Sequence, residues 1–268
     1  MAQSLITNII WDLGGTLFTP DLKHVNQQPN SSYGLLTYVY GGYKQPNHAN
    51  TIDTQIKAIE ILNRLGKQQP GAELIRLPNG QPAPQVVVDW LAGTISNEEA
   101  LKGALEHYYQ TIKEDADFIP DGEKHIVKSM LYALFSPETL IECMQVVKPM
   151  AQLLAECAQN NNYTLYVLSN WDKPSFELLY KSFQGQNIFK YFKKENILIS
   201  SMVGLIKPQK KIYEYFIEHY SIDPKQSVFI DNQVENIQAA QAHGIASLLF
   251  KPNGTQELRE QLKALGVI

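Results

Sequence analysis

Cysteine is nearly missing from this chain of 268 residues: only Cys143 and Cys157 are present. Their spacing fits no metal knuckle and no redox pair, and two thiols cannot build a disulfide framework. They read as packing residues of a protein kept in a reducing compartment. A basic block is also missing. The net charge is -4 and Lys and Arg are scattered, so nothing indicates a surface for nucleic acid. No apolar run approaches the about 20 residues of a membrane span. The N-terminus has no basic stretch, and its apolar run is interrupted by Asn8 and ended by Asp12, so no signal peptide is expected. Internal repeats and low-complexity tracts are absent too. These absences lead to the expectation of a cytoplasmic globular protein with neither nucleic acid nor membrane as a partner. A hydrophobic content of 44% against 19% charged residues supplies an ordinary core. The length suits one large domain or two modest ones.

What is present is a series of short apolar runs, each the length of a buried strand: Ile6–Trp11, Thr164–Leu168, Ile197–Ile199, Ser227–Ile230 and Ala246–Phe250. Helical patterns follow or separate the later ones, at Pro149–Asn160, Pro174–Phe183, Pro208–Tyr220, Val234–His243 and Thr255–Leu265. Pro174 and Pro208 suit first helical turns. Strands alternating with helices predict a parallel, doubly wound α/β sheet.

A long interval separates the first run from the second, and it reads as mostly helical. Thr51–Leu65 has helical apolar spacing at Ile52, Ile56, Ile59 and Leu62. Ser96 with Glu99 forms a capping-box signature before Ala100–Tyr109. Ser136-Pro137 opens a further helical stretch. Pro, Gly and Asn cluster at 20–34 and 78–84, as in loops. The expectation is a core made of residues 1–20 and 149–268, with residues 21–148 forming a helical cap domain over the C-terminal edge of the sheet.

Ligands of a parallel sheet bind beyond the carboxyl ends of its strands. The residues leaving these runs are Asp12, Ser169-Asn170 and Asp231-Asn232, and Lys207 precedes a predicted helix. Asp12 is placed to act as a nucleophile that forms a covalent intermediate. Asp12 and Asp231 together suit Mg²⁺, which takes a few carboxylates and keeps waters elsewhere. Lys207 would stabilise charge on Asp12 and on a phosphoryl group, and Ser169 would donate to a substrate oxygen. Gly14 and Gly15 would let backbone N–H groups approach an anion. Each residue also has a plain structural reading: Asp12 and Asp231 as helix caps, Ser169-Asn170 as a turn, Lys207 as a solvated side chain. The six histidines show no ligand spacing, and the segment Tyr33 to Tyr43 reads as a substrate-facing loop or an aromatic packing cluster. Trp171-Asp172 would either line the entrance or pack under the cap.

Asp12-Leu13-Gly14-Gly15-Thr16-Leu17, Leu168-Ser169-Asn170, Lys207-Pro208 and Phe229-Ile230-Asp231-Asn232 resemble, in order, the four motifs of the haloacid dehalogenase-like (HAD) hydrolase superfamily. The resemblance covers the core, and the cap matches in position and helical character. It implies a Rossmann-like core, an aspartate nucleophile and usually Mg²⁺. By similarity, Asp12 is the nucleophile, and Ser169 and Lys207 bind a phosphoryl group. Leu13, Gly14, Gly15 and Asn170 surround the substrate. Asp12, the Gly14 carbonyl and Asp231 hold the metal. Most members are phosphatases, so the expected activity is Mg²⁺-dependent hydrolysis of a small phosphorylated metabolite.

The resemblance breaks at Gly14, where phosphatases of this kind carry a second Asp that protonates the leaving alcohol. Such general acid–base help is worth roughly 10²–10⁴-fold. Three ways out present themselves. The cap supplies a donor, with Asp21, Asp117, Asp121 and His24 as candidates; the leaving group needs no proton, as with an acyl phosphate or a halide; or the fold binds a ligand or partner with impaired turnover. Carbon–halogen hydrolysis is the alternative chemistry. Asn232, where a second acid is common, weakens the metal site unless Glu235 compensates.

Overall fold

A computed structural model describes residues 5–21, 49–68, 74–77 and 80–268, with the backbone alone described at 49–53. The five predicted strands are present as β1 (Asn8–Trp11), β4 (Thr164–Ser169), β5 (Ile197–Ile199), β6 (Ser227–Asp231) and β7 (Ala246–Leu249). They form one sheet in the order β5-β4-β1-β6-β7, parallel at every pairing. The strand nearest the N-terminus is therefore its centre. Ile10 stands opposite Tyr166 on one side and Phe229 on the other.

Side chains alternate across the sheet, as the two-residue period of a strand requires. Ile9, Trp11, Val167 and Ile230 join one buried cluster, and Ile10, Tyr166, Leu168 and Phe229 join the other. Both faces are covered by helices, which is why these strands read as unbroken apolar runs rather than alternating ones. The covering helices are α6 (Lys148–Cys157), α7 (Lys173–Lys181), α8 (Phe183–Phe189), α9 (Lys210–Tyr220), α10 (Val234–Ala242) and α11 (Thr255–Ala264). Asp172 caps α7, accepting from the Ser175 N–H at 3.0 Å. The predicted helix through Phe183 in fact ends at Lys181. Ser182 caps a new one, α8, accepting from the Gly185 N–H at 3.0 Å. Pro208 was expected in a first helical turn, but α9 begins at Lys210 with Gln209 as its cap. The Lys207-Pro208 segment stays outside the helix, with a cis peptide bond.

Between β1 and β4 lie helices α1 (Ala49–Arg64), α2 (Gln85–Ala92), α3 (Asn97–Glu114), α4 (Asp121–Phe135) and α5 (Pro137–Cys143). The Ser96–Glu99 capping box is formed in both directions, and Ser136 caps α5, accepting from the Thr139 N–H at 3.3 Å. The chain leaves and re-enters the core through a short antiparallel ribbon, β2 (Phe18–Pro20) against β3 (Met144–Val146). Cys143 and Cys157 are both buried and form no disulfide, and burial pushes the Cys157 thiol up to about 12. No helix among the described residues is long and apolar enough to cross a membrane.

Candidate active site

Asp12 is the first residue past β1. Its N–H still donates to the Ile230 carbonyl at 3.0 Å, so the parallel pairing with β6 extends to the acid itself. Asp231 is the last residue of β6 and is held the same way, its carbonyl accepting from the Phe250 N–H at 2.8 Å. Ser169 ends β4. The sheet thus delivers three polar side chains to one edge, as its parallel topology demands.

Lys207 lies between them and is 1% exposed. Its ammonium is 2.7 Å from Asp12 Oδ1 and 2.6 Å from Asp231 Oδ2, and it donates to the Leu168 carbonyl at 2.9 Å. An ammonium has three donors, so all are occupied. Burial alone would lower the Lys207 pKa, but the two carboxylates and their hydrogen bonds outweigh it and raise it. Asp12 responds in the opposite sense. Burial lifts its carboxyl to about 6, assisted by the like charge of Asp231 and opposed by Lys207 and Ser169. Two buried carboxylates surround one ammonium.

Several expected contacts are arranged differently. The Ser169 hydroxyl donates to Asp12 Oδ1 at 2.9 Å and accepts from the Leu13 N–H at 3.4 Å, so it faces the acid. The Asn170 side chain pairs with the backbone of Lys207, donating to its carbonyl and accepting from its N–H, both at 2.9 Å. Gly15 was expected to offer its N–H to an anion, but donates it to the Phe18 carbonyl at 2.7 Å. Its φ of 79° shows what the glycine is for, a left-handed turn. The Leu13 side chain is fully buried in the core.

Asn236 went unnoticed in the sequence. Its amide spans Asp231, 3.0 Å from each carboxylate oxygen, and the Gln233 N–H reaches Asp231 Oδ1 at 2.7 Å. The signal was a polar residue next to Ile237 and one helical turn from Ala240, on the buried stripe of α10. Glu235, weighed in the sequence as a compensation for Asn232, is not among the residues lining the cavity.

A cavity of about 40 Å³ lies against this cluster, walled by Asp12, Gly14, Asn170, Lys207, Gln233 and Asn236 below. Above it stand Ile75, Arg76, Leu77, Ala83, Val87, Val88 and Leu91 from the helical insertion. Arg76 is a second residue that the sequence reading passed over. Of the proposed cap donors, Asp21, Asp117 and Asp121 are absent from this wall, and Asp121 is exposed and paired with Lys124. His24 lies outside the described residues, as do His48 and the segment Tyr33 to Tyr43. Trp171 and Asp172 do not line the cavity but pack beneath the insertion, where Asp172 accepts from Asn97 Nδ2 at 3.1 Å.

Asp12 Oδ2 is buried and has no partner among protein atoms. An unpaired hard oxygen fits a small divalent cation with few protein ligands. No cluster of three or more acids, histidines or cysteines that could hold a metal occurs among the described residues, so solvent would complete its shell.

The chain matches the family model of haloacid dehalogenase-like hydrolases over residues 6–244. It is 30% identical over 103 residues to drimenol cyclase drtB of Aspergillus calidoustus, which is 38% of this chain and 18% of that protein. It is 26% identical over 106 residues to sesquiterpene phosphatase astK of Aspergillus oryzae, 40% of this chain and 51% of that protein. The chain therefore spans only 18% to 51% of the length of these curated relatives. Among solved structures, a HAD family enzyme from Bacteroides thetaiotaomicron superposes with a TM-score of 0.54 at 18% identity, covering 92% of this chain and 95% of that one. L-2-haloacid dehalogenase from Xanthobacter autotrophicus gives 0.52 at 14% identity, covering 98% and 85%. Both share the fold. The family match runs from the strand that presents Asp12 to the turn that follows α10, and with it the chain belongs to the haloacid dehalogenase-like hydrolase family and is a hydrolase.

Proposed function

We propose that this hydrolase is a phosphatase acting on a small phosphorylated metabolite, with Asp12 as its nucleophile. The observation that carries this reading is the unpaired, buried Oδ2 of Asp12 in a cavity shared with Lys207, Gly14 and Asn170. Oδ1 is held by Lys207 and Ser169, which keeps the carboxylate oriented and leaves one oxygen to attack phosphorus. Attack gives an aspartyl phosphate, which water then cleaves. Asn170 sets the backbone of Lys207, and Lys207 stabilises negative charge in both steps. The relative named as a sesquiterpene phosphatase supports the phosphatase reading.

The Asp12 carboxylate, the Gly14 carbonyl and Asp231 are the groups that would hold Mg²⁺. When bound, it supplies positive charge against an anionic nucleophile and an anionic substrate.

The test is release of inorganic phosphate from a panel of phosphate esters, acyl phosphates and diphosphates, with Mg²⁺ and with EDTA. Turnover that requires the metal and vanishes in Asp12→Asn is the expected result. Halide release from 2-haloacids that survives EDTA, with no phosphate released, would replace this reading with carbon–halogen hydrolysis.

A further inference from the structure

We infer that the leaving group departs from this site as an oxyanion held by Arg76, so that the substrate is a phosphoanhydride or an acyl phosphate rather than a simple alkyl phosphate. The inference rests on the phosphatase reading and narrows it to a substrate class. Apart from Asp12 itself, the only ionisable groups among the described lining residues are Lys207 and Arg76. Lys207 is held protonated by two carboxylates, with its three donors occupied, and an arginine does not give up its proton. Glycine, aliphatic and amide side chains make up the rest. Among the described lining residues, none besides Asp12 can hand a proton to a departing oxygen.

An alkoxide leaving without a proton is a poor leaving group, and general acid help there is worth roughly 10²–10⁴-fold. A phosphate or carboxylate needs no such help, because it is stable as an anion near neutral pH. What it does need is a positive partner, and Arg76 is the one cation on the cap side of the cavity among the described residues. Arg76 is also well placed to stay there. Gln68 braces the turn that carries it, donating to the carbonyls of Ile75 at 2.7 Å and Ala83 at 2.8 Å and accepting from the Ile75 N–H at 2.7 Å. Arg76 Nη1 donates to the Gly80 carbonyl at 2.7 Å, which fixes the side chain and leaves donors over for an anion. Aliphatic side chains flank it on the same wall of the cavity.

The steps balance without an acid. An Asp12 oxygen bonds to phosphorus while the bond from phosphorus to the bridging oxygen breaks. Its electron pair leaves on that oxygen, which Arg76 receives. Water then attacks the aspartyl phosphate. Its oxygen goes to phosphorus, its proton to the released phosphate or solvent, and the carboxylate is restored.

The experiment compares kcat/KM, with Mg²⁺ throughout, for acetyl phosphate, isopentenyl diphosphate, glycerol 3-phosphate and a series of aryl phosphates of graded leaving-group acidity. Wild type is expected to cleave acetyl phosphate or the diphosphate at least about 100-fold better than glycerol 3-phosphate, and to slow steeply along the aryl series as the leaving group becomes more basic. Which of the two activated compounds is cleaved better distinguishes a carboxylate from a phosphate leaving group. Gly14 does not have a left-handed φ, so Gly14→Asp can add an acid without backbone strain, and it should narrow the gap to glycerol 3-phosphate at least about tenfold. Arg76→Gln should reduce kcat/KM for the favoured activated substrate by about 10- to 100-fold, with Arg76→Lys recovering part of the loss. A merely structural role for Arg76 would lower all substrates alike and leave the leaving-group dependence unchanged, which overturns the inference. Glycerol 3-phosphate cleaved as fast as acetyl phosphate, in an Asp12-dependent manner, overturns it while the phosphatase reading survives. Absence of both turnover and phosphorylation of Asp12 by acetyl phosphate overturns both.

Discussion

Asn170 and Lys207 are joined by a pair of hydrogen bonds between a side-chain amide and a peptide group, 2.9 Å in each direction. The residue after β4 therefore sets the position of the lysine that bridges the other two strand exits. Asn170→Ala removes both bonds and leaves a buried N–H and carbonyl unsatisfied, each worth about 1–3 kcal/mol. The expected result is a loss of a few kcal/mol in denaturant unfolding and a fall in kcat of about 10- to 100-fold with a smaller change in KM. Normal kcat in a destabilised variant would show that Lys207 does not depend on this clamp.

Asp12→Asn should abolish turnover and make the protein more stable at neutral pH. The carboxyl titrates near 3.8 when unfolded and about 6 when folded. Between those values the native state binds the extra proton, so stability falls as pH rises through that window, and the full penalty is present above about 6. Two pH units correspond to about 3 kcal/mol. Thermal unfolding at pH 4 and pH 8 should show wild type losing more stability on the alkaline side than Asp12→Asn does. Equal losses would mean that the acid is not strained by its burial.

With Asp12 as the proposed nucleophile, the same titration should govern activity. A nucleophilic carboxylate must be ionised, so kcat/KM without saturating metal should drop below about pH 6. Mg²⁺ competes with the proton for the same oxygen, so raising its concentration should move the acid limb to lower pH. A limb that stays fixed across a wide range of Mg²⁺ concentration would place the metal away from Asp12.

Asn236→Leu keeps the approximate volume of the side chain but withdraws the amide that spans both oxygens of Asp231. A buried carboxylate left short of donors costs about 1–3 kcal/mol or more. Chemical denaturation should report that loss, and Mg²⁺ activation should shift to higher concentration. An unchanged activation curve would assign Asn236 to packing alone.

Gly93 ends α2 with φ 74°, and a Cβ there would lie 2.7 Å from the Ser201 carbonyl oxygen. This is where the helical insertion rests on the core, and the Ser200 hydroxyl bonds to the Leu91 carbonyl beside it. Gly93→Ala combines about 1–2 kcal/mol of left-handed strain with that clash. It should lower the melting temperature by several degrees and weaken substrate saturation more than the chemical step, as read from KM against kcat.

The parts of the fold that were legible in sequence are those governed by local pattern. The five strands announced themselves because a parallel sheet buried on both faces needs continuous apolar runs, and Asp12 and Asp231 were conspicuous where such runs end. Helices α2 and α4 were not recognised individually. In α2, Val86–Val88 with Trp90 and Leu91 is apolar on nearly every side, which masks helical periodicity. The β2–β3 ribbon has only three residues on each side, too few to show alternation. Arg76 and Asn236 were missed for a different reason. Each gains its meaning from a neighbour brought close by tertiary folding, the cavity wall in one case and Asp231 in the other. Gly15 shows the converse, since a glycine tolerates both a turn and an anion contact, and only its partner Phe18 decides between them.

The central strand has an outcome for how this protein comes into being. Asn8–Trp11 pairs with segments that begin at Thr164 and Ser227, so contacts of very long sequence separation must close before β1 has either neighbour, and such closures are slow. On the ribosome β1 is made before the helical insertion and waits unpaired while the insertion is completed. Until Ser227–Asp231 emerges, an apolar strand edge is open to mispairing.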